Sequence, residues 1–305
     1  LGSSPIQASI YPASALHFRP SPEALPAAAQ DYWDRSPDVA VDAAGNAYVV
    51  WDRWDYEHTD DTVLFAQRSP AGAWSQPEEL GYSETDMHPA IAADALGNVM
   101  LLFKDYLLRS SYRPAAGTWA AVQTVDNSYH VIDFDVALDS QRNAFALWTD
   151  DGAYPDYQVR FAYRPADAAW EPFETVYNVP APQLKSASIA SDEAGNAYAT
   201  WGYQAELATD VYFAYRPTGG VWRSAIRIND DIGGAAQWRS AIAVDPAGNP
   251  QALWLDRRNP TTHIYASYAR HDDIAGPGNP QWVWHREAED VPRTGGMQLG
   301  EDNTG

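Results

Sequence analysis

Along this chain apolar and polar residues alternate in short runs, the period-two pattern of strands with one packed face and one wet face. The runs are separated by Gly, Pro, Asn and Asp, the residues that turn a chain sharply. One stretch recurs five times: a short apolar strand, the turn D-x-x-G-N, and an aromatic residue five places after the Asn. The copies start at Asp42, Asp94, Asp139, Asp192 and Asp245, and their aromatics are Trp51, Phe103, Trp148, Trp201 and Trp254. Two places before each Asp stands an alanine (Ala40, Ala92, Ala137, Ala190, Ala243), and three places before it Val39, Ile91, Val136, Ile189 or Ile242. Small and β-branched side chains suit a crowded inner strand. In the fourth copy the strands read 188–191, 197–201 and 211–216, with an outer one beyond Trp222. A repeat of about fifty residues carrying four strands is the blade of a β-propeller.

The expected fold is therefore all-β: one domain over 1–305, a six-bladed β-propeller with four antiparallel strands per blade. The spacing places blades at 37–86, 87–133, 134–186, 187–239 and 240–293. A sixth blade is expected to be split, with 294–305 giving its inner strand and 1–36 its other three. Residues 299–305 repeat the inner strand and D-x-x-G, while Phe18-Arg19-Pro20 echoes Tyr112-Arg113-Pro114. Sharing a blade between the two chain ends closes the ring and hides both sheet edges. Four blades carry an Arg six residues before a Trp: Arg68/Trp74, Arg113/Trp119, Arg164/Trp170 and Arg216/Trp222. The third copy has Arg142 where the others have Gly, so its turn is expected to rest on Asn143 or to be looser. Identical placement in every blade marks D-x-x-G-N as turn chemistry rather than a Ca²⁺ loop.

Charge narrows the partners. The chain has 41 acidic against 20 basic residues and a net charge of −21, which repels nucleic-acid backbones and anionic membrane surfaces. No apolar run approaches the ~20 residues of a membrane span, so no membrane insertion is expected. With no cysteine, disulfides, thiolate catalysis and Cys-bound metals are all excluded. Of the seven histidines, His58, His88, His130 and His263 come from different blades and lack metal-ligand spacing, and no motif calls for a metal or another cofactor. The aromatic-rich composition, with lysine only at Lys104 and Lys185, suits a secreted or cell-surface bacterial protein. The first thirty residues lack the basic-then-apolar order of a signal peptide, so the mature form is expected.

Strand order fixes two faces. The D-x-x-G-N turns lie on one; the inner-strand entries and the loops between second and third strands lie on the other, at the mouth of the channel. That second face gathers Asp34, Arg35, Asp86, His88, Lys104, His130, Asp133, Lys185, Trp238 and Arg239. One reading is an anionic sugar or carboxylate held by Arg35 and Arg239 and stacked on Trp238. The other is that these cations neutralise Asp34, Asp86 and Asp133 in a solvated funnel. The loop 52–61 is the richest segment, with Arg53, Trp54, Asp60 and Asp61 as candidate sugar contacts or as a charged hairpin loop. Asp150, Asp151 and Asp156 carry the same two readings, with cation binding as a third, although their spacing matches no Ca²⁺ loop.

The stretch from Arg35 to Trp74 resembles the opening blade of the sialidase superfamily. Arg35-Ser36-Pro37 stands where that family has R-I-P, and Arg53 matches its second arginine. The segments 69–74 and 115–119 resemble Asp boxes without the Asp. The resemblance implies Asp60 or Asp61 as acid/base, Glu206 as the carboxylate that activates a tyrosine, and Arg35, Arg53 and Arg239 as ligands of a substrate carboxylate. Trp54, His88, His130, Lys185 and Trp238 complete the expected binding set. Three functions follow in order: a non-catalytic sialidase-like module binding a glycan or other small anionic or polar ligand, a sialidase-type glycoside hydrolase, and a scaffold subunit whose acidic rim meets another protein. Fold alone does not choose among them.

Overall fold

The structure, a computed structural model, describes Leu25 and residues 32–55, 60–83, 87–152, 156–180, 184–205, 208–230, 237–257, 263–271 and 289–290. Its strands form five four-stranded antiparallel sheets in simple chain order. Blade one holds β1 (Tyr32–Val41), β2 (Ala47–Asp55), β3 (Asp60–Arg68) and β4 (Glu78–Ser83). Blade two holds β5 (Ala90–Ala93), β6 (Val99–Asp105), β7 (Leu107–Arg113) and β8 (Gln123–Asp126). Blade three holds β9 (Val131–Leu138), β10 (Ala144–Asp150), β11 (Asp156–Arg164) and β12 (Glu174–Pro180). Blade four holds β13 (Leu184–Ser191), β14 (Ala197–Ala205), β15 (Ala208–Arg216) and β16 (Ile226–Arg227). Blade five holds β17 (Gln237–Val244), β18 (Pro250–Asp256), β19 (His263–Tyr268) and β20 (Glu289–Asp290).

The first strands line up side by side, β1 against β5, β5 against β9, β9 against β13 and β13 against β17. The blades thus fan out around a common axis with their first strands innermost. In four blades that strand begins a few residues earlier than the repeat spacing suggests, at Tyr32, Val131, Leu184 and Gln237. The remainder of the expected split sixth blade, apart from Leu25, lies outside the described residues. No helix among the described residues is long and apolar enough to cross a membrane.

The core lies between blades. Val50, Val63 and Phe65 of blade one pack on Ile91, Leu101 and Phe103 of blade two. Met100, Leu102 and Leu108 meet Val136, Leu138 and Trp148; Phe145, Leu147 and Phe161 meet Leu184, Ile189 and Trp201; Val211 and Phe213 meet Ala252, Trp254 and Tyr265. Each repeat aromatic after the first therefore seals its blade against the one before. Trp51, the first, packs with Leu64 and Ala66 and carries Leu25 and Trp74 at the margin of its cluster.

The turns act as staples. In all five, the Asp accepts the backbone N–H of the Asn on one oxygen and its side-chain amide on the other, at 2.6–2.9 Å. The Asn Oδ1 then accepts a backbone N–H from the turn after the third strand: Ala115, Ala166, Thr218 and His271. Blade one has Pro70 in that place, which has no N–H to give. Arg142 adopts the left-handed backbone its glycine counterparts use, with φ 69°, so the third turn keeps its shape and rests on Asn143.

Candidate functional site

The inner strands are bent where they enter the channel. The ladder to the second strand shifts between Arg35 and Asp38, Lys185 and Ser188, and Trp238 and Ala241. Inside each bulge one residue is left-handed: Ser36 (φ 47°), Ser186 (φ 58°) and Arg239 (φ 55°). His88 (φ 40°) stands at the same place ahead of β5. All four lie six residues before the repeat Asp. A non-glycine residue held there costs about 1–2 kcal/mol, so its neighbours must hold it. Arg239 N donates to Ser186 Oγ at 3.0 Å, Ser240 Oγ donates to Ser186 O at 2.9 Å, and Ser36 Oγ shares a 3.1 Å hydrogen bond with His88 Nδ1.

A second column, four residues before the repeat Asp, links blade one to two, three to four and four to five. Asp38 accepts the Ile91 amide at 2.8 Å. Asp135 accepts the Ile189 amide at 2.9 Å and Ser188 Oγ at 3.0 Å, and Ser188 Oγ accepts the Ile242 amide at 3.3 Å. In blade two the position is Ala90, which can accept nothing, and Val136 N donates instead to Asp135 of its own strand.

These columns enclose an open axial cavity of about 380 Å³, lined by residues 36–38, 88–90, 133–135, 186–188 and 239–240. It is polar and acidic. Burial, reinforced by the nearby Asp38 charge, pushes the Asp135 carboxyl up to about 7 against hydrogen bonds from Ile189, Val136 and Ser188 that oppose the rise. Burial also raises Asp38, opposed by the Ile91 and Val39 amides. It raises Asp133 too, opposed by the Ser186, Phe134 and Ala187 amides and by His88. Among the described residues no three His, Asp or Glu side chains are placed to hold a metal ion.

The expected site residues separate into groups. His88 and Arg239 line the cavity. Arg35 is committed to carboxylates: its Nε donates to Asp52 at 3.1 Å and its Nη2 to Asp61 at 2.6 Å, and both acids are buried. Arg53 is matched to Asp34 by two bonds of 2.7 and 3.0 Å. Trp54 rests on Trp33 with ring centroids 5.5 Å apart. His130 pairs with Asp151 at 3.1 Å on an exposed surface, and Lys104 Nζ donates to Val131 O at 2.7 Å. Asp150 is buried and paired with Arg160 at 3.0 Å. Asp60 faces Asp55 in the β2–β3 ladder, Lys185 faces Gly202 and Trp238 faces Leu255. The side chains of those three, and all of His58, Asp86 and Glu206, lie outside the described residues.

No protein-family model and no curated protein sequence matches the chain. Solved structures do. A leech intramolecular trans-sialidase superposes with a TM-score of 0.56 at 9% identity, over 83% of this chain and 60% of that one. An ulvan lyase of polysaccharide lyase family PL25 gives 0.56 at 12% identity, over 86% and 74%. A Dyadobacter fermentans protein described as of unknown function gives 0.55 at 10% identity, over 80% of each chain.

The fold is a sialidase-like β-propeller. At such identities the likeness reaches the architecture and goes no further. The propeller's cavity residues Ser36, Asp38, Asp135, Ser186, Ser188 and Ser240 were absent from the expected binding set. Their signal was in the repeat itself. The column six places before each Asp is polar in all five blades, and the column four places before it is polar in three, inside strands that are otherwise small and apolar.

Proposed function

We propose that this protein is a non-catalytic glycan-binding propeller that holds a polar sugar in its axial cavity. The observation that carries this reading is the convergence of equivalent positions from five blades, most of them polar, on one open cavity of about 380 Å³. A concave site with a few fixed polar groups is the usual form of a small-ligand site. Its hydroxyls and carboxylates, backed by Arg239 and His88, suit a ligand rich in hydroxyl groups. With Arg35 and Arg53 already matched to carboxylates and three more acids in the cavity wall, a neutral sugar fits better than an anionic one. An exported protein is the setting that suits such a ligand. Binding without turnover is supported by how the acids are used: Asp38, Asp133 and Asp135 accept backbone amides of their own and neighbouring blades, and Asp61 is ion-paired and buried.

Hydrolysis is the second reading, favoured by one observation. A carboxyl pushed up to about 7, as Asp135 is, has the protonation behaviour of a general acid. A glycan array of neutral, amino and sialylated glycans, read for retained protein and for loss of epitope, separates the two. Retention on neutral glycans without epitope loss is expected. Epitope loss that Asp135→Asn abolishes would establish the hydrolase, and a blank array with folded protein would overturn both in favour of a protein-binding scaffold.

We also read the ring as six-bladed. Val39 and Val41 on β1 and Leu253 on β18 are apolar yet exposed, and they point away from the described neighbours of blades one and five. A further blade between those faces would cover them.

A further inference from the structure

We propose that blade one carries a second carbohydrate subsite, an indole platform of Trp33 and Trp54, so that the ligand is a neutral oligosaccharide running outward from the axial cavity. This rests on the glycan reading above. Trp51, Trp148, Trp201 and Trp254 are all buried, whereas Trp33 is 63% exposed. An indole left largely in water forgoes much of the stabilisation its burial would bring. Trp33 and Trp54 stand directly opposite one another in the β1–β2 ladder, their rings tilted by 46°. Trp54 thus packs beside Trp33 across the strand pair.

Strand alternation decides what lies beside the platform. Arg35 and Asp52 face each other two residues further along the same ladder, and Asp61 faces Trp54 across β3. All five side chains share one face of the sheet. The Arg35 side chain is 34% exposed while Asp52 and Asp61 hold it from behind. An indole face next to an oriented guanidinium is matched to a pyranose, whose C–H face stacks on the ring while its hydroxyls reach the polar group. Because Arg35 is outnumbered by its two carboxylates, a negatively charged sugar gains no net attraction there.

Position ties the platform to the axial cavity. Trp33 lies three residues before Ser36 on β1, roughly 10 Å of strand at about 3.3 Å per residue. A single linear oligosaccharide can therefore touch both, with one residue in the cavity and a later one on the platform. A monosaccharide reaches only the cavity.

The test is calorimetric titration of the folded full-length protein with neutral manno-, xylo-, cello- and chito-oligosaccharides, each from mono- to hexasaccharide. Wild type, Trp33→Ala and Trp33→Phe are compared, with melting curves to confirm that each variant is folded. In whichever series binds, wild-type affinity should rise with chain length. Trp33→Ala should weaken hexasaccharide binding by at least about tenfold, or 1.4 kcal/mol, leave monosaccharide binding within about twofold, and recover partly in Trp33→Phe. Length-independent affinity in the wild type, or an equal loss at every length, would overturn the platform while leaving the cavity reading in place. No binding by any member of any series would sink the glycan reading and the platform with it.

Discussion

Asn196 performs two tasks in one turn. Its side-chain amide holds Asp192 at 2.7 Å, and its Oδ1 receives the Thr218 amide at 3.0 Å, tying the first turn of blade four to its third strand. It is nearly buried, so Asn196→Ala should cost about 2 kcal/mol in a urea melt, the sum of two lost hydrogen bonds in a dry setting. Asn46 holds Asp42 in the same way at 2.6 Å, but Pro70 offers its Oδ1 no N–H. Asn46→Ala should cost only about 1 kcal/mol. Equal losses in the two variants would show that the link to the third strand contributes nothing. The turn was legible in the sequence because its chemistry is local: Asp, Asn and a left-handed residue within five positions. Arg142 shows the limit of that local reading. The paired Asp139–Asn143 bonds and an Arg142–Asp167 ion pair at 2.8 Å keep a left-handed backbone that a non-glycine residue disfavours.

At the scale of strands and blades, the Arg and Trp that recur six residues apart serve to clamp each blade to the one before. Arg113 stacks over Phe65, Arg164 over Tyr112 and Arg216 over Phe161, each at 5.2–5.3 Å and each one blade back. Trp119 meets Phe65 edge-on at 5.1 Å, Trp222 meets Phe161 at 5.0 Å, and Trp170 donates to Ser110 Oγ at 2.7 Å. Arg216 is buried and combines this stacking with a bond to Glu174. Arg216→Ala should therefore lower stability by about 1–2 kcal/mol. Arg216→Lys should recover only part of this, because an ammonium cannot lie flat on the ring. Chemical denaturation of the three proteins checks it, and full recovery by Lys would reduce the role of Arg216 to its charge. The spacing was visible as a repeat in the sequence. The direction of the contact, into the preceding blade, depends on how two sheets are packed.

At the scale of the whole molecule, the axial carboxylates couple stability to pH. Asp135, Asp38 and Asp133 all hold their protons more tightly in the folded protein than carboxyls ordinarily do. Their contribution is full below the ordinary carboxylate range near 4 and is lost as pH rises toward the folded value, about 7 for Asp135. Asp42 and Asp245 act in the opposite sense. Burial, which would raise them, is outweighed by hydrogen bonds from Asn46 and Tyr48 to Asp42 and from Asn249 to Asp245. Their contribution is present above that range and lost on further acidification. Stability should therefore be greatest near the ordinary carboxylate range and fall as pH rises between ~4 and ~7. Asp135→Asn should flatten that fall and raise the melting temperature on the alkaline side, as thermal melts across the range would show; an unchanged slope would place the dependence elsewhere. The sequence by itself determined the blade, its turns and its packed aromatics, because each is written in residues a few positions apart and repeated until the pattern is unmistakable. It also placed the candidate site on the face of the inner-strand entries. Only the tertiary structure decided which residues meet there. Ser36, His88, Asp135, Ser186 and Arg239 are separated by whole blades and converge through bulges whose register depends on the strand alongside, while Arg35 and Arg53 are matched to carboxylates across neighbouring strands.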